Sequence, residues 1–315
     1  FCLLHMPSPL THIAEHPGKN ADITLYLKRD DLLHPSIQGN KWRKLEPVIR
    51  FLQQGNFDGM LTYGGPFSNH IHAVAAAGKA FHFPTVAVIR GLSADMSNPT
   101  MAYTHACGMQ LIPVTKKDYD AGAASTVIQQ ILTEYPNYYQ LPEGGATREA
   151  VESCAVISQE IMAQTPGLAP EKRFIAIPAG TGTTAAGVIG GLGDAGTVLV
   201  FPAAPHGLSE HSIQSRVEEV FNGVTPHFQI KTEYIFGEFA AFHPELIEFV
   251  REFQSQTGIL LDPIYTAKMM WGIFELLEKG RFPEGSVITA VHTGGLQGWD
   301  GFRQRFGIDI YQSSL

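Results

Sequence analysis

The stretch IQGNKWRKLE (residues 37–46) sets Lys41 between a Gly-Asn turn and the start of a helix, with Arg43 and Lys44 close behind. A lysine at a helix start is ordinarily solvated surface charge. Partial burial beside another cation would instead keep its amine neutral, and a neutral lysine amine attacks carbonyl groups. Two further stretches carry groups that could serve such chemistry. AGTGTTAAG (179–187) combines Gly180 and Gly182 with the hydroxyls of Thr181, Thr183 and Thr184 where a helix should begin, a suitable cradle for a phosphate or simply a tight turn. FSNH (67–70) puts Ser68, Asn69 and His70 at another helix start, where N-capping by Ser68 or Asn69 is an adequate alternative use.

Other chemistries lack their signatures. The glycine corner at 180–182 is not a P-loop, because no Lys-Ser/Thr follows it, and GxGxxG is not completed. HExxH and GxSxG are absent, so neither a metal site nor a hydrolase triad is expected. Cys2, Cys107 and Cys154 are isolated, which fits a reducing compartment better than a disulfide framework and points to the cytoplasm. The formal charge is −8 with scattered basic residues, so no nucleic-acid partner is expected.

The elements that must position these groups alternate β-branched runs with helix-like stretches from Ile23 onward, the pattern of an α/β fold. The units are too many for one compact sheet, so two open, twisted, mostly parallel sheets flanked by helices are expected, with the chain passing between them. Three strand-like runs end in glycines, at 61–70, 177–187 and 290–298. Loops at the carboxyl ends of parallel strands form the binding crevice, so the three corners could face one ligand. The charge-free segment 174–193 is long enough to raise a membrane span, but Pro178 and its Gly/Thr-rich centre divide it into strand, loop and helix, and no membrane association is expected. FCLLHMPSPL at the start has neither a basic n-region nor a small-residue cleavage site, so no targeting signal is read there.

LKRDDLLHPSIQGNKWRKLE, YGGPFSNHIHAVAAAG, PEGG, AGTGTTAAG, GILLDPIYTAKMMWGI and HTGG follow one another in this order across nearly the whole chain. The set closely resembles the pyridoxal-phosphate enzymes that include D-cysteine desulfhydrase and 1-aminocyclopropane-1-carboxylate (ACC) deaminase. The resemblance implies a fold of the tryptophan-synthase β-subunit type (fold type II), with pyridoxal 5'-phosphate between a large domain, 1–45 with 150–315, and a small one, 46–149. It also implies a homodimer acting on a small amino acid. By the same resemblance Lys41 is the lysine that links to the cofactor, and Gly180, Thr181, Gly182, Thr183 and Thr184 cradle its phosphate. Asn69 bonds the ring's phenolic oxygen, Thr266 faces the pyridine nitrogen, and Thr293 and Gly294 complete the cofactor site. Lys41, Tyr265 and Ser68 are the expected catalytic residues, and Phe67, Ser68, Asn69, His70 and Phe239 the expected substrate contacts.

Relatives commonly carry Gln before the Ser-Asn pair and Arg two residues after the His, where this chain has Phe67 and His72. A second tyrosine of the family falls on Phe239 by gapless counting, or on Tyr234 if the loop holds an insertion. ACC deaminases usually place Glu at the position of Thr266, and a neutral partner there makes a weaker electron sink. The expected reaction is therefore β-elimination, giving a 2-oxo acid and ammonia. ACC ring opening and a cofactor-binding pseudoenzyme are the alternatives.

Overall fold

The computed structural model describes residues 6–310. Cys2 and the first residues of FCLLHMPSPL lie outside them. Strands β1 (Leu10–His12) and β2 (Thr24–Lys28) open one sheet. The next four, β3 (Gly59–Gly64), β4 (Thr85–Arg90), β5 (Gln110–Val114) and β6 (Tyr138–Leu141), form a second. The chain then returns to the first through β7 (Arg173–Ala179), β8 (Thr197–Pro202), β9 (Phe228–Ile230) and β10 (Val287–Val291). The orders are β1-β2-β10-β7-β8-β9 and β5-β4-β3-β6, and every pairing is parallel except β1 on β2.

Parallel neighbours require crossovers, and helices supply them. Helix α1 (Asn40–Leu52) leads into the second sheet, whose crossovers are α2 (Asn69–Phe81), α3 (Pro99–Ala106) and the pair α4 (Lys116–Ala121) and α5 (Thr126–Glu134). Helix α6 (Arg148–Gln164) returns to the first sheet. There α7 (Thr183–Leu192), α8 (Glu210–Val220), α9 (Pro244–Thr257) and α10 (Thr266–Glu278) connect the strands, and α11 (Gly298–Phe306) follows β10.

Each sheet is covered on both faces, as parallel sheets require. In β8, Val198 and Val200 enter one core while Leu199 and Phe201 enter the other. In β4, Val86 and Val88 oppose Ala87 and Ile89 in the same way. The charge-free segment resolves into β7, a corner and α7. Helix α7 is apolar all round because it is buried all round: a Cβ at Gly187 would meet the Val151 carbonyl oxygen at 2.4 Å, so only glycine lets α7 lie this close to α6. No helix among the described residues is long and apolar enough to cross a membrane.

Helix α1 joins the two sheets. Trp42, Leu45, Val48, Ile49 and Leu52 form a stripe in the core of the second sheet. Pro47 lacks the N–H that would bond the Arg43 carbonyl, and Ser153 of α6 donates to that oxygen instead, at 2.8 Å. The Arg43 guanidinium is buried between Asp30 (3.0 Å) and Glu160 (2.8 Å), and Glu160 also holds Lys28 at 2.6 Å. Of the two cations behind Lys41, Arg43 is thus a strut between α1, α6 and the first sheet.

Both strand orders reverse once. In the first sheet β7 leads outward to β8 and β9, and β10 returns to its other side; in the second β3 leads to β4 and β5, and β6 returns to its other side. Loops diverge at such switch points and leave a crevice at the carboxyl ends of the strands. The corners after β3, β6, β7 and β10 all line one cavity of about 700 Å³ between the sheets.

Candidate active site

Lys41 reaches this cavity because of the residues before it. Gly39 adopts φ 59°, and a Cβ there would lie 2.0 Å from the Thr293 carbonyl oxygen, so the turn is pressed onto the corner after β10. Gln38 Oε1 accepts from the Gly295 N–H at 3.2 Å, and Asn40 Nδ2 donates to Thr184 Oγ1 at 2.9 Å. The lysine turn is therefore stitched to the corners after both β7 and β10. Burial pushes the half-buried Lys41 amine down to about 8, only partly offset by Cys154 and Asp262 nearby. Its Nζ makes a long hydrogen bond to Asn40 Oδ1, 3.3 Å.

One turn later Lys44 lines the same cavity, 4% exposed, its Nζ donating to the Gly144 carbonyl at 2.9 Å. Burial, followed by repulsion from Lys41, pushes its amine down to about 7. Sequence reading assigned Lys44 no role; its spacing of three from Lys41, which puts both on one helix face, was the available signal.

The corner after β7 opens onto the cavity at the N-terminus of α7. Helices α2, α3, α4, α5, α6 and α8 each have an N-cap side chain bonding their first N–H groups, whereas α7, like α1, α9, α10 and α11, has none. Its first N–H groups and the hydroxyls of Thr181 and Thr183, 3.0 Å apart, form an anion cradle. Gly180, Thr181, Gly182, Thr183 and Thr184 all line the cavity, as do Thr293 and Gly294.

Ser68 caps α2, its Oγ accepting from the N–H groups of His70 and Ile71 at 3.2 and 3.3 Å. Asn69 Oδ1 accepts from Gln297 Nε2 at 2.9 Å, so the amide nitrogen of Asn69 remains as the donor on a cavity-lining side chain. Gln297, from the loop before α11, is a second residue that sequence reading missed. The buried His70 lies 2.8 Å from Thr62 Oγ1, whose own proton goes to the Leu141 carbonyl. His70 Nε2 must therefore donate, and Nδ1 is a buried acceptor without a partner among the described residues. Burial and the charges of Lys41 and Lys44 hold this imidazole well below its usual range, hence neutral.

Tyr265 lines the cavity ahead of α10, with burial, Asp262 and Glu143 pushing its phenol up, so it stays protonated. Phe239 stands beside it, ring centroids 6.2 Å apart. Tyr234 is instead 4% exposed in the core, 5.8 Å from the Phe201 ring, so of the two Phe239 is the one that lines the cavity. Phe67 also lines it. His72 stacks on Tyr103 at 4.0 Å, and burial pushes it down to about 4, so it supplies no positive charge near pH 7.

Thr266 does not join this group. It is fully buried and is not among the cavity-lining residues; its hydroxyl donates to Asp262 Oδ2 at 2.6 Å and accepts from the Asp262 N–H at 2.8 Å. A hydroxyl has one proton, and with that proton on Asp262 Thr266 has none to give a ring nitrogen. Thr293, in the corner after β10, does line the cavity.

Residues 3–294 match the family model described as pyridoxal-phosphate dependent enzyme. The chain belongs to the pyridoxal-phosphate dependent enzyme family. Among relatives within it, a bifunctional D-cysteine desulfhydrase/1-aminocyclopropane-1-carboxylate deaminase, mitochondrial, of Arabidopsis thaliana is 27% identical, over 95% of this chain and 78% of its own. A D-cysteine desulfhydrase of Salmonella paratyphi A is 24% identical over 93% of both. A solved structure described as an ACC deaminase homologue superposes with a TM-score of 0.79 at 24% identity, covering 96% of this chain and 94% of that one. The family's cofactor suits the residues present. An uncapped helix N-terminus takes a phosphate, a half-buried amine with a lowered pKa takes an aldehyde, and the donor of Asn69 suits a phenolate oxygen.

Proposed function

We propose that this pyridoxal-phosphate dependent enzyme is a lyase that eliminates a β-leaving group from a small amino acid, releasing a 2-oxo acid and ammonia. The observation that carries the reading is the Lys41 amine, depressed to about 8, in one cavity with the uncapped N-terminus of α7, Asn69 and Tyr265. In this reading Thr181, Gly182, Thr183 and Thr184 hold the phosphate with Lys44 beside them, Asn69 donates to the phenolic oxygen, and Thr293 replaces Thr266 at the pyridine nitrogen. When bound, pyridoxal phosphate supplies an electron sink. Lys41, as the free base, takes the α-proton, a role worth about 10²–10⁴-fold. Ser68 holds the substrate carboxylate, and the protonated Tyr265 phenol donates to the departing group.

Relatives named for ACC deamination support ring opening as a second reading. Elimination is favoured because Tyr265 is the one tyrosine among the described residues that line the cavity, with Phe239 where relatives have a second phenol. We also propose that the two sheets mark two domains, 1–45 with 150–315 and 46–149, and that the protein is a cytoplasmic homodimer. The isolated cysteines and the resemblance to the family support this.

The test is kcat/KM for D-cysteine, L-cysteine, β-chloro-D-alanine and ACC on one holoenzyme preparation, read as keto-acid release, with Lys41→Ala alongside. Elimination substrates should lead, and Lys41→Ala should retain no borohydride-fixed cofactor. A preference for ACC would move the assignment to ring opening. Absence of turnover with every amino acid would leave a cofactor-binding pseudoenzyme.

A further inference from the structure

The mouth of the cavity is more apolar than a small substrate needs. Three of its lining residues are phenylalanines that remain well exposed: Phe67 at 39%, Phe239 at 49% and Phe306 at 40%. An adjoining open recess of about 490 Å³ shares Pro66, Phe67 and Arg305 with the cavity and reaches Leu92, which is 81% exposed. Exposed large apolar side chains gathered around one opening mark a ligand surface. A three-carbon substrate has little apolar surface to bury against these rings.

These rings are held in place by the fold. Phe67 lies against Gly301 of α11, where an added Cβ would meet its ring at 2.9 Å, so glycine leaves room for the phenyl between α11 and the start of α2. Phe239 meets the edge of Tyr265. Its loop is anchored at Ile235, whose carbonyl accepts from the buried Lys268 Nζ at 2.7 Å. Phe306 packs on Phe302 at 5.1 Å and Phe242 at 5.2 Å. Rings fixed before binding lose little freedom when they receive a ligand.

We infer that the preferred substrate is an amino acid whose β-leaving group carries an aryl or branched alkyl substituent, of the S-substituted cysteine class, with Phe67, Phe239 and Phe306 around that substituent. This rests on the elimination reading and names its substrate class. The α-carbon loses its proton to Lys41. The Cβ–S bond breaks with its electron pair going to sulfur, which is protonated and leaves as the thiol. Water then releases ammonium, so that an S-substituted cysteine plus water gives thiol, pyruvate and ammonium, with no external oxidant or reductant.

The experiment compares S-benzyl-, S-ethyl- and S-carboxymethyl-cysteine, each as separate D and L forms, with cysteine and β-chloroalanine on the holoenzyme. The S-benzyl substrate should exceed the S-ethyl one in kcat/KM by at least about tenfold, the lower end of what an apolar pocket discriminates. That ratio should fall at least fivefold in Phe67→Ala and in Phe239→Ala. A ratio measured within one preparation cancels any loss of folded protein, and its change from wild type to variant cancels the leaving-group difference between the two thiols. Equal or slower turnover of S-benzyl-cysteine, with cysteine and β-chloroalanine still processed, would overturn this inference and leave the elimination reading standing. Preference for S-carboxymethyl-cysteine would also overturn it, assigning the mouth to Arg90 and Arg305. Failure of every substrate, chloroalanine included, would sink both.

Discussion

Asn40 Nδ2 donates to Thr184 Oγ1 at 2.9 Å, joining the residue before Lys41 to the first turn of α7. The two are 144 positions apart, and the bond sets the amine and the anion cradle in register across the cavity. In a double-mutant cycle with Asn40→Ala and Thr184→Val, pyridoxal phosphate affinity should fall by about 1–3 kcal/mol in each single variant. A coupling of about 0.5–3 kcal/mol is expected between them. Spectroscopic titration of the apoprotein measures both, and strict additivity would show that the bond does not hold the site together.

The Lys41 amine attacks only when neutral. With its pKa lowered from 10.5 to about 8, its neutral fraction rises about tenfold per pH unit below 8 and saturates above it. Capture of pyridoxal by the apoprotein, followed as imine absorbance between pH 6 and 10, should therefore accelerate with a midpoint near 8. Lys44, pushed to about 7, is the other amine on the cavity, but its Nζ is held on the Gly144 carbonyl, so Lys41→Ala should show no residual capture. A midpoint near 10 would mean that Lys41 is solvated.

Gly39→Ala should disable the site more severely than its single methyl group implies. Its φ of 59° costs a non-glycine residue about 1–3 kcal/mol, and the new Cβ would also collide with the Thr293 carbonyl oxygen. The expected result is a lower melting temperature together with slower pyridoxal capture, as the turn carrying Lys41 is pushed off the corner after β10. Wild-type values in both measurements would contradict this packing.

Glu160 accepts from both Arg43 and Lys28 in a buried network. Glu160→Ala should destabilise the fold by about 3–5 kcal/mol in denaturant unfolding, because two buried cations lose a partner. Burial alone would raise the Glu160 pKa, but Arg43 and Lys28 outweigh it and hold it below 4.5. The stabilisation is thus present above the unfolded value and lost as pH falls through the lower folded one. A steeper acid unfolding limb in wild type than in Glu160→Gln checks the sign.

Much of this site could be read from short stretches of chain. Strand and helix periodicity, glycines at strand ends and a lysine after Gly-Asn are local patterns. They placed Lys41, Ser68, Asn69, Gly180 to Thr184 and Thr293 on corners that do line one cavity, and the resemblance to the family added Tyr265. The reversal of strand order that makes four corners converge depends on which strands pair, and pairing partners lie tens to hundreds of residues apart.

The sequence by itself determined the α/β alternation, the glycine corners and the family to which the chain belongs. Only the tertiary structure decided which hydroxyls face the cavity. Thr266 and Thr293 are both threonines beside a signature motif, yet Asp262, turned back by four residues, takes the proton of the first and leaves the second at the cavity wall. Phe239 and Tyr234 likewise compete for one place in the alignment, and the core takes Tyr234 because its ring packs on Phe201 while Phe239 is left at the mouth. A side chain's direction follows from the neighbours that satisfy its polar atoms and fill its space, and those neighbours come from elsewhere in the chain.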